Sequence, residues 1–332
     1  MRAFVVTEPG LSAVQDWPNP GVVAGEVLVR TVLVGMCGTD LELIDGALDP
    51  AYVRYPLVLG HEWVGKLVSD SDVGPANASV VVEGVIPCGQ CGECRRGASN
   101  LCATYDEVGF TRAGAIADLI SVPSFLVHRL NSDVDPSDAV LVEPMAVVWR
   151  ALTRLPLRSG LRVAIVGDGT IALLATYLVG LFKPSHVIVI AQRAEQRELA
   201  FRAGAHEFVT ELPVGKFDLI IEAAGNATAV TSALGLGARG AMVVLLGLPP
   251  HGTRVEIAPD DLVNNDVIIQ ASFSYTRTSF AEVVELLNSK KLQPSFLITH
   301  RFTVNDASFA VATLRGGSAI GPRGKVIVEV SV

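Results

Sequence analysis

Apolar residues are arranged in two textures along this chain. Up to about residue 150 they come in short stretches broken by polar residues, glycine and proline. Leu28-Val-Arg-Thr-Val-Leu-Val-Gly35, His61-Glu-Trp-Val-Gly-Lys-Leu-Val-Ser-Asp70 and Ala117-Asp-Leu-Ile-Ser-Val-Pro123 are examples. Such runs predict short strands and turns, with one face buried. From Leu161 the runs become continuously apolar: Arg162-Val-Ala-Ile-Val166, His186-Val-Ile-Val-Ile190, Phe217-Asp-Leu-Ile-Ile-Glu222, Ala241-Met-Val-Val-Leu-Leu-Gly247 and Val267-Ile-Ile-Gln-Ala-Ser-Phe273. Helical segments such as Leu173-Leu-Ala-Thr-Tyr-Leu-Val-Gly-Leu-Phe182 alternate with them. This alternation predicts parallel strands covered by helices on both faces, a doubly wound sheet. Near the end, Thr299-His-Arg-Phe-Thr-Val304 and Lys325-Val-Ile-Val-Glu-Val330 return to the first texture.

The expected organisation is an α/β chain with a mainly β domain at 1–148, completed by 291–332, and a dinucleotide-type domain at 149–290. A helix at 143–157 joins the two. A chain of 332 residues agrees with two domains, and 50% hydrophobic against 18% charged residues is a globular balance. The formal net charge of -8 is spread without basic clusters, which argues against nucleic acid as partner. The first residues lack the pattern of a signal peptide, and no apolar run approaches the ~20 residues of a membrane span. The reading is a cytoplasmic, membrane-free protein whose thiols stay reduced.

Four of five cysteines fall in Cys88-x2-Cys91-x2-Cys94-x7-Cys102. In a reducing compartment this spacing reads as four thiolates around one zinc ion. A closed four-ligand site has no open position, so that zinc is structural. A pair of disulfides and a nucleic-acid-binding knuckle are the alternatives. The secretory context of the first is missing, and the acidic charge opposes the second.

In the second half, Gly167-Asp-Gly169-Thr170-Ile171-Ala172 follows one apolar run and opens a helical one. G-x-G-x-x-A between strand and helix is a dinucleotide turn, with pyrophosphate at the helix N-terminus. Asp168 is unfavourable beside phosphate and is expected to point outward. A carboxylate for the ribose hydroxyls belongs about twenty residues past the turn. Gln192 and Arg193 stand there, with Arg197 a turn further on. Guanidinium groups in that place favour a 2′-phosphate, hence NADP(H) over NAD(H). Use of either cofactor, with both arginines as solvated helix-face charges, stays open.

The cysteine spacing and the dinucleotide turn together resemble the zinc-containing medium-chain dehydrogenases, the alcohol dehydrogenase superfamily. Cys37-Gly-Thr39-Asp40, Gly60-His61-Glu62 and Glu143-Pro144 resemble that family's catalytic-zinc motifs. The resemblance implies a GroES-like catalytic domain plus a Rossmann coenzyme domain, with substrate and cofactor meeting in the cleft between them. It implies a catalytic zinc held by Cys37, His61 and Glu143, with Glu62 able to approach the metal. Three protein ligands leave a fourth position for substrate oxygen, where the metal acts as a Lewis acid. Asp40 is placed to orient His61, and Thr39 to begin a proton relay. Many members end that relay at a His five residues after the Cys; here Glu42 stands there. A Glu before Pro also fits a plain helix start. Glu143 resembles the polyol (sorbitol-type) branch, and Glu42 sugar dehydrogenases. Ala224, Gly247, Leu248, Ser272, Phe273 and Lys325 are implied as further cofactor contacts. The implied activity is hydride transfer between NADP(H) and a secondary alcohol or ketone, with polyols, sugars or cyclitols first. Simple aliphatic or cyclic secondary alcohols, and a catalytically silent zinc- and nucleotide-binding protein, are the alternatives. A homodimer or homotetramer is the implied assembly.

Overall fold

The structure is a computed structural model that describes residues 1–316 and 321–331. It divides into two compact units. One comprises Met1–Glu143, Tyr275–Ile320 and Lys325–Val332; the other comprises Pro144–Ser274 and Gly321–Gly324.

The first unit is built on a seven-stranded sheet whose central strand is the long Glu26–Met36. Alternate residues of this strand (Val27, Val29, Thr31, Leu33) are buried, the period of two expected of a strand with one covered face. It pairs with Glu62–Leu67 on one side and Lys325–Glu329 on the other, both antiparallel. Gly35 lies opposite Glu62, and Met36 opposite Val326. The end of the central strand therefore sits between a histidine–glutamate start and a lysine start. A core containing Phe4, Met36, Leu43, Leu59, Trp63, Leu126 and Val328 fills this unit.

The second unit holds a six-stranded parallel sheet among the described residues. In chain order its strands are Arg162–Val166, His186–Ile190, Glu207–Val209, Phe217–Glu222, Gly237–Leu245 and Ile268–Ala271. Their spatial order is third, second, first, fourth, fifth, sixth, the doubly wound arrangement whose direction reverses between the first and fourth strands. Ligands bind outside the carboxyl ends of strands at that reversal. Gly167 follows the first strand there with φ +130°, and a Cβ on it would lie 3.0 Å from the Ala223 carbonyl carbon. A side chain would be strained and crowded at once, so glycine is required.

Residues 275–290, expected with the dinucleotide half, pack in the first unit. The helix Arg277–Asn288 sets the Phe280 ring 5.0 Å from that of His128, Arg277 on Glu83, and Asn288 on the backbone of Asn131. These contacts outweigh the helix's sequence proximity to the last Rossmann strand.

Candidate active site and cofactor turn

The four-cysteine segment folds on itself. Cys91 caps the short helix Gly92–Arg95, its sulfur accepting the Cys94 N–H at 3.5 Å. Cys88 sulfur accepts the Cys91 N–H, and Cys102 sulfur accepts the Cys88 N–H. Cys91 and Cys94 sulfurs are 3.4 Å apart, and Cys88 and Cys94 sulfurs 3.9 Å. Ligands ~2.3 Å from a tetrahedral zinc are separated by about 3.8 Å, so the donors fit such an ion. All four are free thiols here. Amide donors from Gln90 and Cys91 lower the Cys88 pKa to about 6, favouring the thiolate that a metal needs.

Cys37, His61 and Glu62 come from separate segments, yet one donor atom of each lies within 4.8 Å of the others. Cys37 ends the central strand and precedes the helix Gly38–Asp45. His61 and Glu62 open the neighbouring strand. Asp40 folds back so that its Oδ2 accepts the Cys37 N–H at 2.8 Å, while its Oδ1 lies 3.5 Å from His61 Nδ1. Burial opposes charge on His61, but Asp40 and Cys37 together lift its pKa well above the ordinary value. Surroundings that favour a cation at the ring also favour a divalent ion among the same donors. A half-buried thiol with a buried imidazole and a buried carboxylate around one point fits zinc.

Glu143 stands outside this compact set. Burial and the nearby Glu62 push its carboxyl up to about 8, although His61 and Lys325 pull the other way. The set closed in the structure is thus Cys37, His61 and Glu62, with Glu143 in a neighbouring position.

Thr39 and Glu42 lie three residues apart on the helix Gly38–Asp45, which puts them side by side. The Thr39 hydroxyl is 3.7 Å from Cys37 sulfur. Burial raises the Glu42 pKa.

Lys325, expected at a pyrophosphate, is only 1% exposed and its ammonium is paired with Glu62. The pair crosses over Gly35 of the central strand. A Cβ there would collide with the Glu62 carboxylate and come within 2.6 Å of Lys325 Cε. Burial works against the lysine's charge, but Glu62, then Cys37, hold its pKa above the ordinary value. Its charge is therefore committed to a carboxylate of the donor set.

In the second unit, Gly169 caps the helix Thr170–Val179, leaving first-turn N–H groups unbonded within the helix. The segment 321–324 crosses this turn: Thr170 hydroxyl donates to the Gly324 carbonyl, and Gln196 Nε2 bridges the carbonyls of Asp168 and Arg323. Ile171 follows in the same half-buried first turn. Asp168 does not point outward. Its Oδ2 accepts the N–H groups of Gln192 and Arg193, and its Oδ1 takes the Arg193 guanidinium at 2.7 Å. A carboxylate does reach the end of the second strand, delivered by the glycine turn itself. Looking only after that strand missed it. Arg197 is exposed, 4.9 Å over the Phe208 ring. Arg323 lies close enough for Arg193 and Asp168 to act on its charge in opposite directions.

Ala224 donates its N–H to Glu222, beside which Gly247 leaves no room for a side chain. Leu248 and Phe273 are 70% and 53% exposed. Ser272 accepts from Arg150. Two more groups, buried Tyr275 and half-buried Glu107, escaped the pattern reading. Tyr275 accepts the Gly84 N–H at 2.7 Å, and burial with Glu143, Glu83 and Glu107 keeps its phenol protonated. Glu107 stands near His61, its carboxyl pushed up to about 7 by burial. Neither belongs to a motif, so nothing in the sequence marked them.

A thiolate–imidazole–carboxylate donor set in a mainly β unit, joined to a doubly wound sheet with a dinucleotide turn, defines a metal-dependent nicotinamide dehydrogenase. Residues 23–132 match the alcohol dehydrogenase GroES-like domain, and residues 167–289 match the zinc-binding dehydrogenase family. An L-threonine 3-dehydrogenase of Streptomyces avermitilis is 31% identical, over 99% of both chains. A sorbitol dehydrogenase of Bacillus subtilis is 27% identical, over 94% of this chain and 92% of its own. A zinc-binding dehydrogenase of Sinorhizobium meliloti 1021, solved bound to NADP, superposes with a TM-score of 0.91 at 28% identity, covering 99% and 98% of the two chains. The chain belongs to the zinc-containing medium-chain alcohol dehydrogenase family and is an oxidoreductase of that family. Among the described residues no helix is long and apolar enough to cross a membrane.

Proposed function

We propose that this protein interconverts a secondary alcohol and its ketone using NADP(H), and that its preferred alcohols are polyols, sugars or cyclitols. The observation that carries the reading is the convergence of Cys37, His61 and Glu62 within 4.8 Å, with the Thr39 hydroxyl beside Cys37. Cys37, His61 and Glu62, with Glu143 nearby, would hold the catalytic zinc; Cys88, Cys91, Cys94 and Cys102 would hold the structural one. A bound zinc ion supplies Lewis acidity, which lowers the pKa of an alcohol or polarises a carbonyl. Asp40 holds His61 in orientation, and the Glu62–Lys325 pair holds a carboxylate at the donor set. Thr39 accepts the alcohol proton and relays it outward, with Glu42 next to it on the same helix. Bound at the Gly167–Gly169 turn, NADP would supply the acceptor for the carbon-bound hydrogen as hydride.

Cofactor choice rests on the corner where Asp168, Arg193 and Arg323 meet. One carboxylate faces two guanidiniums there, with Arg197 exposed a helical turn beyond Arg193. A net positive corner favours the extra phosphate of NADP, and the Sinorhizobium meliloti relative was solved with that cofactor. Use of NAD(H) is the second reading, favoured by the carboxylate that Asp168 brings to the ribose position. An apolar edge, with Ile268 and Ile269 48% and 40% exposed, supports a homo-oligomer. Cytoplasmic residence agrees with five free thiols.

The test is a panel of polyols, sugars and simple secondary alcohols with both oxidised cofactors, read by nicotinamide absorbance, alongside metal analysis. Zinc-dependent turnover faster with NADP is the expected result. No turnover of any alcohol by protein carrying its full zinc would reject the reading.

A further inference from the structure

Gln196 has no part in the scheme above, although none of its surface reaches solvent. It ends the single turn Ala194–Gln196 and leads into the helix Arg197–Arg202. Leu199, Ala200 and Ala203 are buried with it, at the i, i+3, i+4, i+7 spacing of a helix's core-facing stripe. The other three places of the stripe are apolar, and this one holds an amide. A buried amide is costly unless its donors and acceptor are bonded.

Its bonds all go to two stretches of backbone at the dinucleotide turn. Nε2 donates to the Asp168 carbonyl at 2.6 Å and to the Arg323 carbonyl at 2.8 Å. Oε1 accepts the Arg323 N–H at 2.7 Å. Carbonyls cannot donate, so only this orientation of the amide satisfies every partner. Asp168 is the middle residue of Gly167-Asp-Gly169, and its carbonyl also takes the Arg193 guanidinium at 3.2 Å. One buried side chain thus grips both backbone groups of Arg323 and holds them against the carbonyl that Arg193 touches. A longer tie joins the same segments, from the Thr170 hydroxyl to the Gly324 carbonyl at 3.2 Å.

The charges gathered here do not cancel. Asp168 spends its carboxylate on the Arg193 guanidinium, at 2.7 and 3.1 Å, and on the N–H groups of Gln192 and Arg193. Arg323 adds a second guanidinium. Burial, then Arg193, weigh against its charge, and Asp168 favours it. Two guanidiniums held around one carboxylate suit a further anion, and a phosphate group matches their planar donors.

We propose that Gln196 is the positioning residue for recognition of the cofactor's 2′-phosphate: it seats the segment Gly321–Gly324 so that Arg323 stands beside Arg193 at the glycine turn. The inference rests on the reading of NADP(H) as cofactor and adds to it the residue through which Arg323 takes part. Arg193 is held by Asp168 and needs no help from Gln196. NAD(H) has no 2′-phosphate to meet the second guanidinium, so loss of Gln196 separates the two cofactors.

Nicotinamide fluorescence reads the binding of reduced cofactor without turnover. Wild type, Gln196→Ala, Arg323→Ala and the double variant form the test set, each titrated with NADPH and with NADH. Arg323→Ala should weaken NADPH about 10- to 100-fold, as loss of charge-assisted hydrogen bonds requires, with the melting temperature unchanged because the bonds of Gln196 are to backbone. Gln196→Ala should weaken NADPH about tenfold and NADH less than about threefold. The double variant should bind NADPH within about twofold of Arg323→Ala, since one residue acts through the other. Losses that multiply in the double variant would overturn the proposal. So would an equal loss for both cofactors in Gln196→Ala, or wild-type NADPH affinity in Arg323→Ala. Wild type that binds NADH more tightly than NADPH would instead reject the NADP(H) reading, and the inference with it. Melting temperatures are taken alongside. Gln196→Met, which keeps the length and fills the buried space, replaces Gln196→Ala with the same expected outcomes if that variant does not fold.

Discussion

The four-cysteine loop and the Cys37–His61–Glu62 set are both groups of candidate metal donors, but they are built in opposite ways. The loop is local: its donors fall within fifteen residues, and its own amide groups bond its sulfurs. The other set is assembled. Its thiol ends one strand, its imidazole and carboxylate open another, and a lysine from a third strand holds the carboxylate across a glycine. A local site is stabilised by its ion and has little to say about chemistry. An assembled site is held by the sheet whether or not an ion is bound, so it tolerates an open coordination position. The dinucleotide turn shows the same contrast in small. Its glycines are local, but its charge balance is made by Asp168, Arg193 and a late segment carrying Arg323.

The hardest test of the contrast exchanges a ligand in each site. Cys37→Ala or His61→Ala should lower kcat by roughly 10³-fold or more, as loss of several kcal/mol of transition-state stabilisation requires, with the melting temperature little changed. Full activity in either variant would break the assignment. Cys91→Ser should do the reverse: zinc falls from about two equivalents per chain to about one, and thermal stability drops sharply, while residual folded protein still turns over. A variant that melts like the parent would remove the structural role.

Gly35→Ala probes the assembly itself. The new methyl group collides with Glu62 and Lys325, and breaking a buried ion pair costs about 3–5 kcal/mol. A chemical denaturation midpoint close to wild type would show that the sheet can absorb the methyl group. Arg193→Ala should raise KM for NADP about 10- to 100-fold, from loss of charge-assisted hydrogen bonds worth about 1.5–3 kcal/mol, and change KM for NAD far less. Equal changes would favour NAD use.

The smallest effect concerns an assembled ion pair away from both donor sets. Glu26 takes Arg112 and Ser121, each at 2.7 Å. Burial raises its pKa, but those two partners outweigh it and bring the carboxyl below its ordinary value. A depressed folded pKa stabilises above the unfolded value of 4.5, and that stability is lost as pH falls through the folded value. Glu26→Gln should therefore cost about 1 kcal/mol at neutral pH, and the difference should shrink below the ordinary carboxylate range. Urea titrations at neutral and acidic pH would measure it, and a pH-independent difference would contradict the mechanism.

Sequence pattern was enough wherever the physical cause is local. Continuous apolar runs gave the parallel strands, because strands covered on both faces have no polar side to show. Cysteine spacing gave the loop, because chain connectivity alone brings those sulfurs together. Gly167 and the helix after it gave the dinucleotide turn, because a positive φ and a helix start are properties of a few consecutive residues. The resemblance of Cys37, Thr39, Asp40, His61 and Glu62 to family motifs brought the dispersed donors to attention.

Tertiary structure alone decided which charge meets which. Lys325 looked like a cofactor contact and is spent on Glu62; Asp168 looked solvated and anchors Arg193; Glu107 and Tyr275 carried no signal and stand near the His61 segment. The helix Arg277–Asn288 took its place in the first unit through His128, Glu83 and Asn131, not through its neighbours in the chain. A charge's meaning depends on what lies within a few ångströms after folding, and sequence distance is silent on that.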